Sequence, residues 1–298
     1  MKYLFRSLAV LIFLLAATAP SLYAKKTEVR LLLKKGQKFE YVVSGLLRAE
    51  KELGDKPMVI EQKMELTIDQ VVLDKLRNGN YLIQADYKRF TLELNSGEKI
   101  QNYDSNLSNN QPWFDKLLGG LTKLSLKYEV SPLGVVSNLK GFEEIMKNKY
   151  QHEEIVNFIK QFGTDRIISQ LYNYIPKMKV EPGDQWKRIG TLPEMNNQLY
   201  DINFTLTEIT AENCKIDLQA TFKYNSDKKI IQNGKSLRVE VKGVQKGNII
   251  VDSKNNMPLL STINQGTEML VYSKDTITNF EEVSQMKMSF KTTTRLVK

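Results

Sequence analysis

Hydrophobic and polar residues alternate with a period of two along most of this chain. Val29, Leu31 and Leu33 share one side, Gly36 turns the chain, and Phe39, Tyr41 and Val43 alternate again. Met64, Leu66, Ile68 and Val72 line one face against Glu65, Thr67 and Asp69. After Arg77-Asn78-Gly79-Asn80 the alternation resumes with Tyr81, Ile83, Ala85 and Tyr87. Asn-Gly between two alternating runs signals a hairpin, because both residues tolerate positive φ. Antiparallel strands with one face on a core and one in water require this pattern.

The pattern is written twice. DINFTLTEITAENCKIDLQATFKY (201–224) repeats the strand, polar turn, strand and aromatic close of 64–90, with Cys214, Ile216, Leu218, Ala220, Phe222 and Tyr224 inward. GQKFEY (36–41) precedes the first copy and GDQWKR (183–188) the second. KLSLKYEVSPLGVVSNLKG follows the first and SLRVEVKGVQKGNIIVDSKNNMPLL the second, each read as strand, Gly turn and strand. The shared order predicts an internal duplication of roughly 80 to 110 residues.

Between the copies the period becomes helical. Pro112 to Leu118 predicts a short helix, opened by proline and stopped by Gly119-Gly120. Ile155, Phe158, Ile159 and Phe162 fall at i, i+3, i+4 and i+7; Gly163-Thr164-Asp165 breaks the pattern with a stop and a new N-cap, a second helix carries Ile167, Ile168, Leu171, Tyr172 and Ile175, and Pro176 ends it. The expected fold is β-rich α+β: a curved antiparallel sheet, or sheets, built from two duplicated β-meander halves (25–140 and 177–298). A helical insert (141–176, with helix over about 142–175) packs on the apolar face. The halves form either one compact domain or two tightly packed subdomains.

The first 24 residues change the setting. Lys2 and Arg6 precede an apolar run, Leu8 to Ala19, and small residues follow. This is the plan of a secretory signal peptide. Cleavage is expected after Ala24, because a cut after Ala19 would place Pro20 at the scissile bond. The protein is therefore expected in the periplasm or outside the cell, without a lipid anchor, since no cysteine stands near the cut. No later stretch reaches the 18 or so apolar residues of a spanning helix.

The formal net charge is +9, but lysines occur singly and in pairs along the chain. With no concentrated basic stripe, nucleic acid is excluded as a partner. Weak association with an anionic membrane surface is compatible with the charge.

Chemistry-bearing residues are few. His152, the only histidine, lies in YQHEEI and cannot by itself build a multi-histidine metal site. Cys214, the only cysteine, sits on an apolar strand face where thiols are inert packing groups, and it has no disulfide partner in the chain. There is no phosphate loop, no G-x-S-x-G elbow and no HExxH. Asp252-Ser253-Lys254-Asn255-Asn256 spaces oxygens in a vaguely calcium-like way but reads better as a hairpin turn. No enzyme, cofactor or metal site is expected. One apolar cluster belongs to a connection rather than a strand: Trp113, Phe114, Leu117, Leu118 and Leu121. It is either core beneath a long connection or the lid of an apolar cavity, the candidate ligand-binding residues.

The run LKKGQKFEY … NGNYLIQADYKRF … YEVSPLGVVSNLKG … YIPKMKVEPGDQW … VDSKNNMPLL resembles an uncharacterised family of exported Bacteroidota envelope proteins. Its pieces are V-S-P-L-G before the helices, I-P-x-x-x-V-x-P-G-D-x-W after them, and a late D-x-x-x-N-x-P turn. Many such relatives are lipoproteins; this chain lacks their acylated cysteine. More remotely, a curved sheet with helices on its concave side is similar to LolA-like lipoprotein carriers and lipid carriers, an analogy of fold alone. The expected function is a non-enzymatic cell-envelope protein holding a hydrophobic ligand or lipidated partner between sheet and helices. The alternative is an assembly protein that binds another envelope protein through strand edges or the helical insert.

Overall fold

The computed structural model describes residues 26–53, 56–97, 99–107, 112–141, 164–192, 198–226, 230–232, 235–275, 278 and 280–297. Thirteen strands form one antiparallel sheet. They are β1 Lys38–Leu53, β2 Lys56–Lys75, β3 Tyr81–Asn95, β4 Ile100–Asp104, β5 Ser125–Val130, β6 Val136–Lys140 and β7 Gln185–Leu192. The rest are β8 Gln198–Ile209, β9 Asn213–Asn225, β10 Ile230–Gln232, β11 Lys235–Asp252, β12 Pro258–Asp275 and β13 Glu281–Leu296. The order across the sheet is β6-β5-β3-β2-β1-β13-β12-β11-β9-β8-β7, with β4 on β3 and β10 on β11. Each half is thus a meander, and the first and last strands join them: Tyr41 to Lys51 pair with Leu296 to Met286. The two halves share one sheet.

Two corners of the sheet match in backbone detail. The Gly36 N–H donates to the Val72 carbonyl at 2.8 Å, and the Val72 N–H returns to Gln37 at 2.9 Å. In the second copy the Gly183 N–H donates to Leu206 at 2.7 Å, and the Leu206 N–H returns to Asp184 at 3.0 Å. Both glycines have positive φ, +81° and +97°. Just after Val72, and just after Leu206, the register with the next strand shifts by one residue. Two corners with the same turn and the same bulge make Phe39 equivalent to Trp186, Tyr41 to Arg188, and Ile83 to Ile216.

Alternation is realised as expected on β2, β3, β8 and β9, where the inward residues Ile68, Ile83, Ala85, Leu206 and Ile216 are fully buried. Two expectations change. Residues 26–34 are not a ladder strand, although Val29, Leu31 and Leu33 are buried as the alternation requires. The segment runs extended across the end of the sheet: Thr27 bridges Val180, Leu31 donates to Pro132 and Leu32 to Asn255. Gly243 and Gly247 do not turn the chain either; both lie inside the long β11. The turn comes at 253–257, where Asn256 has φ +56°. It carries the Asp252–Asn256 run, so the hairpin reading of that run holds.

Helix is scarce among the described residues: α1 Pro112–Leu118, a 3-10 turn Leu121–Lys123, and α2 Thr164–Gln170. The helical insert expected over 142–175 is not supported as a whole. Its described part contains only α2, after which the chain turns at 171–174 and buries Leu171, Tyr172, Tyr174 and Ile175. Residues 142–163, with Phe158, Phe162 and His152, lie outside the described residues. No helix among the described residues is long and apolar enough to cross a membrane.

The core lies at one end of the sheet. Tyr41, Ile68, Ile83, Tyr128, Tyr172 and Tyr174 are at most 1% exposed. Their hydroxyls are partly joined: Tyr128 and Tyr172 share a 2.9 Å hydrogen bond, Tyr172 donates to Gln70 at 3.1 Å, and Tyr174 to the Asn256 carbonyl. An end so filled by side chains is a closed end.

Candidate functional site

The long strands run on past this core. β2 has 20 residues, β11 and β12 have 18 each, and β1 and β13 have 16 each. At about 3.3 Å per residue, β2 alone spans roughly 65 Å. The fully buried residues of β1 and β2 stop near Tyr41 and Leu66, so the farther parts form an open end.

Register places the side chains of the open end. Tyr41 is inward, so Val43, Gly45, Leu47 and Ala49 follow it on the same face. Across the sheet, Leu47 stands opposite Gln62 and Phe290, and Ala49 opposite Ile60 and Met288. Met286 stands opposite Met269, and Val239 opposite Val271. The inward face is therefore rich in Met, Ile, Val, Leu and Phe, almost all half-buried, with Met58 at the tip 40% exposed. Methionine is over-represented here because its unbranched thioether follows irregular shapes.

The outward face carries charges in ion pairs, some across strands and some two residues apart on one strand. Arg48 meets Glu50 at 2.7 Å and Glu61 at 3.0 Å, Lys63 meets Glu93 at 2.7 Å, and Arg238 meets Glu240 at 2.6 Å. A shallow groove of about 560 Å³ crosses this outward side, lined by the charged Lys63, Glu65, Glu93, Asp104 and Lys291 together with neutral neighbours such as Leu46 and Thr91. Its charges are mostly paired, so it offers no concentrated chemistry. Polar outside and apolar inside, the open end has the amphipathy of a two-layered fold, yet no described residue forms a second layer over it.

Glycines let large inward groups lie flat. A Cβ on Gly45 would stand 2.6 Å from Met64 and 3.3 Å from Phe290, and one on Gly243 would stand 2.0 Å from the Phe222 ring. Rings and thioethers lying over strand glycines smooth the inward surface.

Polar groups interrupt it, Lys51, Gln62, Thr292 and Thr294 among them by the same register. Gln245 is 5% exposed and its Oε1 has no partner, and Gln265 donates to Thr267 at 3.3 Å. The Tyr41 hydroxyl and the Gln70 amide nitrogen also have no hydrogen-bond partner among the described residues. Burial pushes the Tyr41, Tyr128, Tyr172 and Tyr174 phenols well above their ordinary range. Burial also raises the Cys214 thiol, which lies inward at 2% exposure, 3.9 Å from the Ser253 hydroxyl. Such a thiol is a packing group. No set of three His, Cys, Asp or Glu among the described residues is arranged to hold a metal.

The five residues singled out from sequence separate. Phe114, Leu118 and Leu121 are 1%, 0% and 4% exposed, and the Phe114 ring packs on Tyr103 at 5.8 Å. These three are core. Positions Trp113 and Leu117 lie in α1, and their side chains are outside the described residues. Tyr103 stands opposite the inward Leu92, so α1 borders the flank of the open inward face. Sequence reading passed over the Met286-Met288-Phe290 alternation in β13 and over Arg188, which shares its parity with the inward Trp186. Period two alone would have found both.

The sequence matches the family of unknown function DUF6263 over residues 78–258, more than half of the chain. The chain belongs to that family. No curated protein matches it. In fold, this DUF6263 protein is similar to a solved structure described as lipid–protein interactions in lipovitellin, with a TM-score of 0.53 and 10% identity. The likeness covers 90% of this chain and 26% of that one, so the DUF6263 chain spans about a quarter of the lipovitellin chain's length. At that identity the likeness concerns the fold alone.

Proposed function

We propose that this protein is a non-enzymatic, exported envelope protein that holds an apolar, lipid-like ligand or a lipidated partner against the inward face of its open end. One observation carries the reading: an apolar sheet face continues beyond the core without a second layer among the described residues. Soluble proteins rarely leave so contiguous an apolar surface without use. A fold shared with a chain from a lipovitellin structure concerned with lipid contacts supports it. The signal-like N-terminus supports export, with cleavage after Ala24. Trp113 and Leu117, in the helix bordering this face, are proposed as its mouth.

The test compares neighbouring positions of one strand. Replacing Met286 and Met288 together by serine strips the inward face, whereas replacing Lys287 alters only the outward one. The double variant is expected to lose most uptake of a fluorescent fatty-acid probe while its melting temperature stays near wild type; K287S is expected to keep uptake. Equal uptake by all three proteins would sink the ligand reading.

A second reading, docking of another envelope protein, is favoured by the sheet's terminal strands. Among the described residues β6 and β7 each pair on one side only, and Ile189 on β7 is 62% exposed. An added strand would find its template there. Recovery of a stoichiometric protein partner, lost in an Ile189→Pro variant, would move this reading to the front.

A further inference from the structure

We propose that Arg188 seats the head group of the bound molecule, which is an amphiphile with a single anionic head, carboxylate or phosphate, its apolar tail lying along the inward sheet face. The proposal rests on the ligand reading above and narrows it.

Arg188 is on β7, directly opposite Ile202. Ile202 faces Ala220, and Ala220 faces Gln245, so the guanidinium begins a row that crosses the inward face. Trp186, two residues before it, is inward and 8% exposed. The arginine is half-buried. Its Nη2 donates to the Leu133 carbonyl at 2.5 Å, and its Nε is buried without a partner among the described residues. No carboxylate among the described residues pairs with it. Arg30, Arg48, Arg89 and Arg238 differ: each faces a carboxylate, and each has a side chain more than 40% exposed.

The first corner is built without a cation at this place. The equivalent position in the first corner is Tyr41, a neutral aromatic that is fully buried. An aromatic or aliphatic side chain would fill the second corner as well. Burial without a counter-charge lowers the affinity of Arg188 for its proton. A half-desolvated guanidinium with a free N–H is a strong donor for a carboxylate or phosphate oxygen. An anion delivered by a ligand would supply the missing partner, and the apolar face beginning beside it would take the tail.

The experiment uses delipidated full-length mature protein, wild type and the R188Q and R188K variants. Each is titrated with hexadecanoate, methyl hexadecanoate and inorganic phosphate, read by displacement of an apolar fluorescent probe and checked by direct calorimetry. Wild type is expected to bind the acid about ten-fold more tightly than the ester, the scale of one charge-assisted contact. R188Q is expected to bring the two affinities together by weakening only the acid, and R188K to keep part of the preference. Equal affinity of wild type for acid and ester overturns the role of Arg188 while leaving the apolar-face reading standing. Binding of neither overturns both. Parallel loss of acid and ester in a folded R188Q assigns the residue to structure and also overturns the proposal. Phosphate that competes with hexadecanoate at equal concentration overturns the amphiphile in favour of a free anion. The wild-type ratio of acid to ester decides the matter even if a variant fails to fold.

Discussion

The two corners of the sheet share a turn, a bulge and a set of hydrogen bonds, yet the strands leaving them differ in length. β1 and β2, which leave the Gly36 corner, have 16 and 20 residues; β7 and β8, which leave the Gly183 corner, have 8 and 12. What the corners share is confined to the closed end, where the core is. What only one has is the extension, which joins β11, β12 and β13 to build the open apolar face. The shared corner therefore accounts for how the fold is held, and the difference in strand length accounts for the surface assigned to a ligand. The interior chemistry departs as well. Tyr41 and Tyr128 in the first half stand where the second has Arg188 and Ile249.

That asymmetry can be broken with alkali, and the expected effect is the largest. Tyr41, Tyr128, Tyr172 and Tyr174 all have folded-state pKa values above the ordinary phenol value of 10.0, chiefly through burial. The sign follows from proton counting. Above pH 10 the unfolded chain releases these protons and the folded chain keeps them, so stability is full below that point and falls as pH rises. Each such phenol contributes a slope of about 1.4 kcal/mol per pH unit. Urea midpoints between pH 9 and 12 should therefore collapse steeply, and a Tyr41→Phe variant should lose one proton from the slope. A flat profile would mean the phenols are accessible to water.

Ile83 and Ile216 sharpen the equivalence itself. Both are fully buried, and both sit one bulge away from the corner hydrogen bonds. Truncating either to alanine should cost about 2–5 kcal/mol, with similar losses at the two sites. A loss at one site only would show that the two corners are packed differently despite their shared backbone.

Much of this was legible in the sequence, for a physical reason. Period two survives in any strand with one dry face, so Tyr81 to Tyr87 and Cys214 to Tyr224 could be assigned to inward positions directly. The repeat was legible because its turns need particular residues, Gly36 and Gly183 above all. Three features were hidden. Residues 26–34 alternate because they are buried on one side, but alternation does not say whether the backbone is bonded to a strand or to turns. Gly243 reads as a turn, whereas its missing Cβ makes room for the Phe222 ring. Phe114, Leu118 and Leu121 could be read either as core or as a lid because they lie in a connection, and their burial, with Phe114 against Tyr103, depends on contacts distant in sequence. The open face was the opposite case: its residues obey the simple rule, but nothing in the pattern says where the core stops and the strands continue.

The smallest expected effect tests whether the corner is a single repeated device. Gly36 and Gly183 have φ of +81° and +97°, and a Cβ added at either would meet no atom within 4 Å. Alanine at these positions is therefore opposed by backbone conformation alone, without a clash to confuse the reading. Left-handed backbone costs a residue with a Cβ about 1–2 kcal/mol. Alanine also narrows the unfolded ensemble, which offsets a few tenths of that. Both variants should accordingly lose about 1 kcal/mol in urea unfolding, without change in the slope of the transition. Because Gly36 and Gly183 each donate to the strand across the corner, a rearranged turn would cost more than the conformational term. A Gly183→Ala loss well above that of Gly36→Ala would mean that only the second corner depends on its turn to hold the edge strand in place.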